Sequence, residues 1–576
     1  MKKYLFIALA AFGLVACTDN WNDPNSPNFK GELEESYIAI NLMSADINSR
    51  AAEDTYGYED GTTEERAIHK AYFFFFDENG DPFNVTASAP GGDKNHLQLT
   101  IGNTTGNVDP NVSDIKEAVL VLNTYKGVYP SKIVAVLNWV PTDNTYTLAS
   151  LHEVVENSLG NETYGFVMSN SVYMDGANQI VDAVPLTAAN IKTTADAAKN
   201  APVEIYVERT AAKVFLTASG KVAGTTNIFD TQKNSTPILS AGNSSEIDVF
   251  VQLHGWELYN DYTTTNLLKN IEHWDNNVLG LTWNDSPFFR CYWANSRNDD
   301  PNDSFSWSYS DFTAKGLHTQ YGFNIATDTN YTVGTYAYCG ENTNQVVKNS
   351  EGKVTLDPRT KVILKGQLMQ KNGENYEPLE LARWYGTEYA GNQALRIAVA
   401  NSLKYTLYYK DGEQYVAIKP EHLQCVEGTD VGAEAYEVGF QLSTDGQAKT
   451  WYQYSSAKGY QVLGNTSVAG DNIAKTNEYL KSVEPALLYS EGHTYYTVDI
   501  RHLGPNVLKP TYYGIVRNHV YKIDIETIKG YGSPVYIGTS NIETPDHPTE
   551  EDASYVAARI NVLSWKVVKQ GVNIEQ

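Results

Sequence analysis

Apolar and polar residues alternate along this chain in short runs. In residues 36–43, Ile38, Ile40 and Leu42 fall on one face, the period-two pattern of a strand with one buried side. Residues 71–76 are almost wholly apolar, with Phe73 to Phe76 in succession, which predicts a strand buried on both faces. Residues 132–138 predict another. Residues 203–209 alternate again, and 213–216 continue the pattern. In the second half, 247–253, 360–368, 405–418 and 519–527 are the clearest strands. Residues 151–159 and 188–198 suit short helices, and no fixed-period repeat is present. The pattern predicts a mainly β chain. A Gly-, Thr- and Asn-rich stretch places a domain boundary near residue 218.

The chain's end is strand-patterned too. Residues 555–567 read as one long strand, with Leu563, Trp565 and Val567 on a common face. Gln570-Gly571 interrupts it, and Val572 and Ile574 then alternate once more. Most termini fray. A hydrophobic strand at a terminus needs pairing, in its own sheet or with another chain.

The opposite end reads as an export signal. Lys2 and Lys3 precede an apolar run over residues 4–16, too short to span a bilayer. It ends in Leu14-Val15-Ala16-Cys17, the lipobox pattern of bacterial lipoproteins. Residues 1–16 are expected to be a signal peptide and Cys17 the lipidated residue. The alternative is an ordinary secretory signal in which Cys17 is incidental. Residues 18–31 suit a flexible tether. A second polar stretch, from Asn48 to about Arg66, carries Arg50 followed by Ala51-Ala52. An arginine in a soft linker suits a trypsin-like protease, and Arg66 is a second candidate.

Composition narrows the function classes. The 576 residues carry a net charge of −26, which argues against nucleic acid as a partner. Tyr is abundant at 40 and Met scarce at 5, as suits pleated sheets. Beyond Cys17 the cysteines are Cys291, Cys339 and Cys425, an odd set without a CxxC, best read as small buried hydrophobes. No catalytic motif is found, and the histidines lack metal-ligand spacing. Asp77, Asn79 and Asp81 have the opening spacing of a calcium loop without its later ligands, so a turn at Asn79-Gly80 explains them better. Asp299-Asp300 lies in a polar run that suits a loop. The aromatic clusters at 283–293 and 451–454 suit sheet faces or core, with sugar stacking as the alternative. No cofactor, metal site or catalytic residue is expected.

Several segments together resemble the fimbrillins of Bacteroidales type V fimbriae, especially the major subunit of short (Mfa-type) fimbriae. They are the lipobox at Cys17, the Asn48-Ser49-Arg50-Ala51-Ala52 site, residues 70–76, 207–214 and 338–343, and 513–521, the most specific. The resemblance spans nearly the whole chain. It implies two β-sandwich (transthyretin-like) domains, taken here as 51–218 and 219–576, after a lipidated tether and removable first strand at 17–50. It implies an outer-membrane lipoprotein precursor, cut by an Arg-specific protease between Arg50 and Ala51. The groove so opened would take the C-terminal strands of a neighbour, residues 555–576, with Ile560, Val562, Leu563, Trp565, Val567, Val572 and Ile574 as donor positions. A head-to-tail contact of this kind does not close and builds a filament. The implied partners are further copies of the chain, and anchor and tip subunits. A tip or accessory adhesin is the alternative, and a glycan-capture lipoprotein is a third.

Overall fold

The computed structural model describes residues 33–45, 58–59, most of 61–271, most of 336–502 and 513–536, with short pieces at 294–296, 307–308, 321–322, 541–542, 555–561 and 565–567. Cys17, Arg50, Ala51, Cys291, Asp299, Asp300 and the aromatic run 283–293 lie outside the described residues.

The fold is mainly β. The N-terminal half is a nine-stranded sheet whose main path runs His96–Leu99, Ala71–Phe76, Lys132–Leu137, Met168–Asn170, Val203–Arg209, Leu33–Ala45, Val112–Tyr125, Gly102–Asn103. One core gathers residues from both ends of this path: Ile38, Ile40, Leu120 and Leu122 pack with Phe73, Phe75, Ile133 and Ile205. The phenylalanine run is buried on both faces, as its pattern predicts. Phe73 and Phe75 face that core, while Phe74 and Phe76 face a second cluster with Val134, Leu151 and Leu267. The strand ends in a turn. Asp77 Oδ1 accepts from the backbone of Asn79 at 2.8 Å and of Asp81 at 2.9 Å, and Gly80 takes a φ of +87° that suits glycine.

The helices are shorter than their patterns suggest. Leu148–His152 is capped by Thr147, whose hydroxyl accepts from the backbone of Ser150. Ala195–Lys199 starts only at its Thr194 cap. Upstream, Asn190 ties its side chain to Thr187, and Lys192 pairs its backbone with Tyr37. Local side-chain bonding of this kind competes with helix.

The C-terminal half is a β-sandwich. One sheet centres on His519–Lys529, flanked by Ala211–Thr217 in parallel. The other runs through Ile228–Ser240, Asn243–Tyr259, Lys361–Asn372 and His493–Asp499. Val214, Leu216, Ile523 and Ile525 meet Val251, Leu253, Leu364 and Val498 between them. The chain passes from the N-terminal sheet to this sandwich at Thr210, between Val203–Arg209 and Ala211–Thr217.

Residues 391–486 form an insertion that the strand pattern did not predict. It holds the helices Gly391–Leu403 and Asp471–Leu480 and a four-stranded sheet. The run 405–418 is a hairpin, Leu407–Asp411 with Gln414–Ala417, because Gly412 turns the chain. Trp451 is buried in this insertion's core and donates its indole N–H to the Gly446 carbonyl at 2.8 Å, so this ring is core and not a stacking platform. Cys339 and Cys425 are buried in separate cores, and burial pushes the Cys425 thiol up to about 12.

At the start of Lys361–Asn372, Asp357 accepts from Arg359 Nε at 2.7 Å and lies 2.9 Å from Lys361 Nζ. Burial alone would raise this carboxyl, but the hydrogen bond from Arg359 and the Lys361 charge hold it down at about 2. A depressed carboxylate stabilises the folded state above its unfolded pKa, and that contribution is lost as pH falls through the folded value. The window therefore runs from about pH 4 to about pH 2, and the effect is on the order of 2 kcal/mol. Asp357→Asn is expected to melt below wild type at pH 7 and to converge with it by about pH 2, as followed by thermal denaturation across that range.

Candidate polymerisation groove

The Leu33–Ala45 strand occupies an interior position of the N-terminal sheet. It pairs antiparallel with Val112–Tyr125 from Leu33 opposite Tyr125 to Ala45 opposite Val112. On its other edge it pairs in parallel with Val203–Arg209, from Ile40 opposite Val203 to Met43 opposite Tyr206. Tyr37 and Lys192 extend that edge, exchanging backbone bonds at 2.7 and 2.9 Å. Ile38, Ala39 and Ile40 are fully buried, so the middle of the strand is covered on both faces as well as both edges, while Glu35 nearer its start is exposed.

This placement decides what the strand's removal does. Each buried Ile contributes roughly 1.5–3 kcal/mol, and the backbone of both neighbours loses its partner. What remains is a slot lined by Leu120, Leu122 and Ile205, with two unpaired strand edges. Such a slot admits another extended strand of the same alternation.

The expected donor positions fall partly within the described residues. In this single chain, Tyr555–Asn561 lies antiparallel along His519–Lys529, with Ile560 opposite Ile523. Trp565–Val567 follows in parallel, with Val567 opposite Val520. The region is thus two strands rather than one long one. Val562, Leu563, Val572 and Ile574 lie outside the described residues. The outer edge of Trp565–Val567 pairs with Tyr58–Glu59.

A seam of buried charge joins the two halves, which sequence reasoning missed. The segments 207–214, 338–343 and 513–521 converge on it. Arg517, wholly buried, reaches Glu341 Oε2 at 3.0 Å and donates to the carbonyls of Leu267 and Asn266. Lys269 lies 2.8 Å from Glu208, both buried. Arg209 donates through Nε to the Glu65 carbonyl at 2.8 Å and through a terminal nitrogen to Asn518 Oδ1 at 2.9 Å. Glu65 in turn receives Lys213 and the Tyr338 hydroxyl on one oxygen and the Thr62 backbone on the other at 2.8 Å. Burial would raise the Glu65 carboxyl, but Lys213 and these hydrogen bonds outweigh it, so its pKa is lowered. Burial and the neighbouring Glu162 push the Tyr336 hydroxyl up to about 12. Charged residues set within apolar strands, Glu208, Arg209 and Lys213, were the available signal, but their partners lie far along the chain.

Among the described residues no group of His, Cys, Asp or Glu is arranged to hold a metal ion. No helix there is long and apolar enough to cross a membrane.

Comparison with known proteins bears on the C-terminal part. Residues 487–571 match the family described as major fimbrial subunit protein type IV, fimbrillin, C-terminal. No curated protein sequence gives a significant match. Among solved structures, a fimbrilin from Porphyromonas gingivalis is 12% identical, aligned over 94% of this chain and 98% of its own, at a TM-score of 0.33. The C-terminally truncated tip fimbrial protein of the same organism is 13% identical over 91% and 99%, at 0.26. A fimbrial assembly protein from Parabacteroides distasonis is 10% identical over 75% and 100%, also at 0.26. These TM-scores are too low to transfer geometry between chains. Residues 487–571 thus carry the fimbrillin C-terminal sequence pattern, and the family match extends over that segment of the chain.

Proposed function

We propose that the chain is a structural subunit of a cell-surface fimbrium, polymerised by strand exchange. One observation carries this reading. The Leu33–Ala45 strand, bonded on both edges and buried on both faces at residues 38–40, lies just upstream of the arginine at 50. A cut there separates the strand from the rest of the chain while leaving both sheets their remaining strands. The fimbrillin match over 487–571 supports the same assignment.

In finer detail, the precursor is lipidated at Cys17, reaches the outer membrane and is cut after Arg50 by an Arg-specific protease. The vacated slot then takes residues 555–576 of the next copy. A subunit with both slot and donor is a stalk subunit, supporting adhesion and biofilm formation together with anchor and tip subunits. No step in this assembly calls for catalysis by the chain itself.

N-terminal sequencing of shed surface filaments tests the proposal. The expected first residue is Ala51. A filament subunit that starts at Cys17 would retain its first strand, have no open slot, and overturn the exchange mechanism.

A further inference from the structure

Two arginines, Arg50 and Arg66, border the polar stretch that follows the first strand, but the structure treats the second unlike a linker residue. Glu65 is fully buried, although it sits between the exposed Glu64 and the half-buried Arg66. Its carboxylate binds Lys213 and Tyr338 of the C-terminal sheet, and its carbonyl accepts from Arg209 at the end of an N-terminal strand. The next turn is held as well. Arg66 donates from its backbone N and from Nε to the Thr62 carbonyl. Asn138 Nδ2 donates to the Ala67 carbonyl at 2.8 Å, and Asn138 Oδ1 accepts from His69 N at 2.7 Å.

We propose that Glu65 is the positioning residue that confines maturation to the upstream arginine and keeps the segment up to Arg66 in the finished subunit as a strap across both halves. The proposal rests on proteolytic maturation as read above. A protease must draw several residues around the scissile bond into an extended form. At the 66–67 bond this would break the Glu65 contacts with both sheets and the Asn138 bonds together. A cut there would also carry away Tyr58–Glu59, which covers the outer edge of Trp565–Val567. It would leave Lys213 buried beside Tyr336 and Tyr338 without its carboxylate, and a buried charge deprived of its partner is costly. Retaining the strap leaves the seam intact while the first strand departs.

Limited digestion of the purified full-length chain with trypsin tests this, with each bond followed by mass spectrometry. In wild type the 50–51 bond is expected to be cut while the 66–67 bond persists. In Glu65→Gln, cleavage at 66–67 should accelerate at least about tenfold, as local opening becomes easier. Lys213→Met, which leaves Glu65 in place, should act in the same direction. Cleavage after Arg209, whose own side chain is buried, reports global unfolding. If 66–67 cleavage rises only in step with cleavage there, Glu65 merely supports stability and the proposal is overturned. Equal cutting at both arginines in wild type, or no acceleration in Glu65→Gln, overturns it too. If wild type resists at both bonds while Glu65→Gln opens at 66–67, the lock stands and maturation at Arg50 is what fails.

Discussion

A chain ending at residue 554 is expected to be exported and folded, and to form no filaments. The truncation removes Tyr555–Asn561 and Trp565–Val567 from one edge of the C-terminal sheet. His519–Lys529 keeps Ala211–Thr217 on its other edge, and Ile523, Ile525 and Ile528 keep their places in the sandwich core. The subunit therefore loses an outer layer and not its centre. The filament loses more. Three large apolar side chains, Leu563, Trp565 and Val567, contribute on the order of 5 kcal/mol when a neighbour buries them, before ordering costs. Without them the slot left by the first strand has no occupant. Negative-stain microscopy and size-exclusion chromatography of the truncated chain check this. Degradation of the truncated chain would mean that the segment completes its own fold. Filaments of normal length would place the subunit contact elsewhere.

Ile40→Asp is expected to cripple the precursor and leave the matured subunit untouched. Ile40 is fully buried between two strands in a core of Phe, Leu and Ile. A carboxylate there has no partner, and the cost is about 4 kcal/mol or more. For a domain of this size that lowers the melting temperature by roughly 10 °C or more. Val121, on the neighbouring strand, is 41% exposed, so Val121→Asp should shift melting by less than about 2 °C. A chain starting at Ala51 lacks position 40 altogether and cannot feel the substitution. Melting curves of the two full-length variants decide the matter. Equal melting of Ile40→Asp and wild type would mean that the first strand contributes little to the precursor.

The strands were legible because their evidence is local. The alternation of Ile38 and Ile40 and the unbroken phenylalanine run each state a burial pattern within a few residues, and the sheet obeys both. The helix Gly391–Leu403 was legible in principle, since Ala394, Leu395, Val399 and Leu403 recur at helical spacing and are buried. Glu65 was not. Its surroundings, Thr62-Thr63-Glu64 and Arg66, look like solvated linker, and its partners stand 148 and 273 residues away. No window along the chain contains that contact. Polar composition marks a segment as lacking a core of its own, but here the segment borrows one from two sheets at once.

The buried ion pairs between the halves carry a mechanical consequence. A fimbrium transmits tension when a cell is pulled from its support, and each subunit must pass that load across its own waist. Hydrogen-bonded charge pairs such as Lys213 with Glu65 and Lys269 with Glu208 are short-ranged and direction-bound, losing most of their hold once misaligned. Apolar contact, being non-directional, would let the halves slide. A waist pinned in this way barely flexes below its breaking load. Bending of the filament is then left to the joints between subunits, and the subunit itself behaves as a stiff link in a chain.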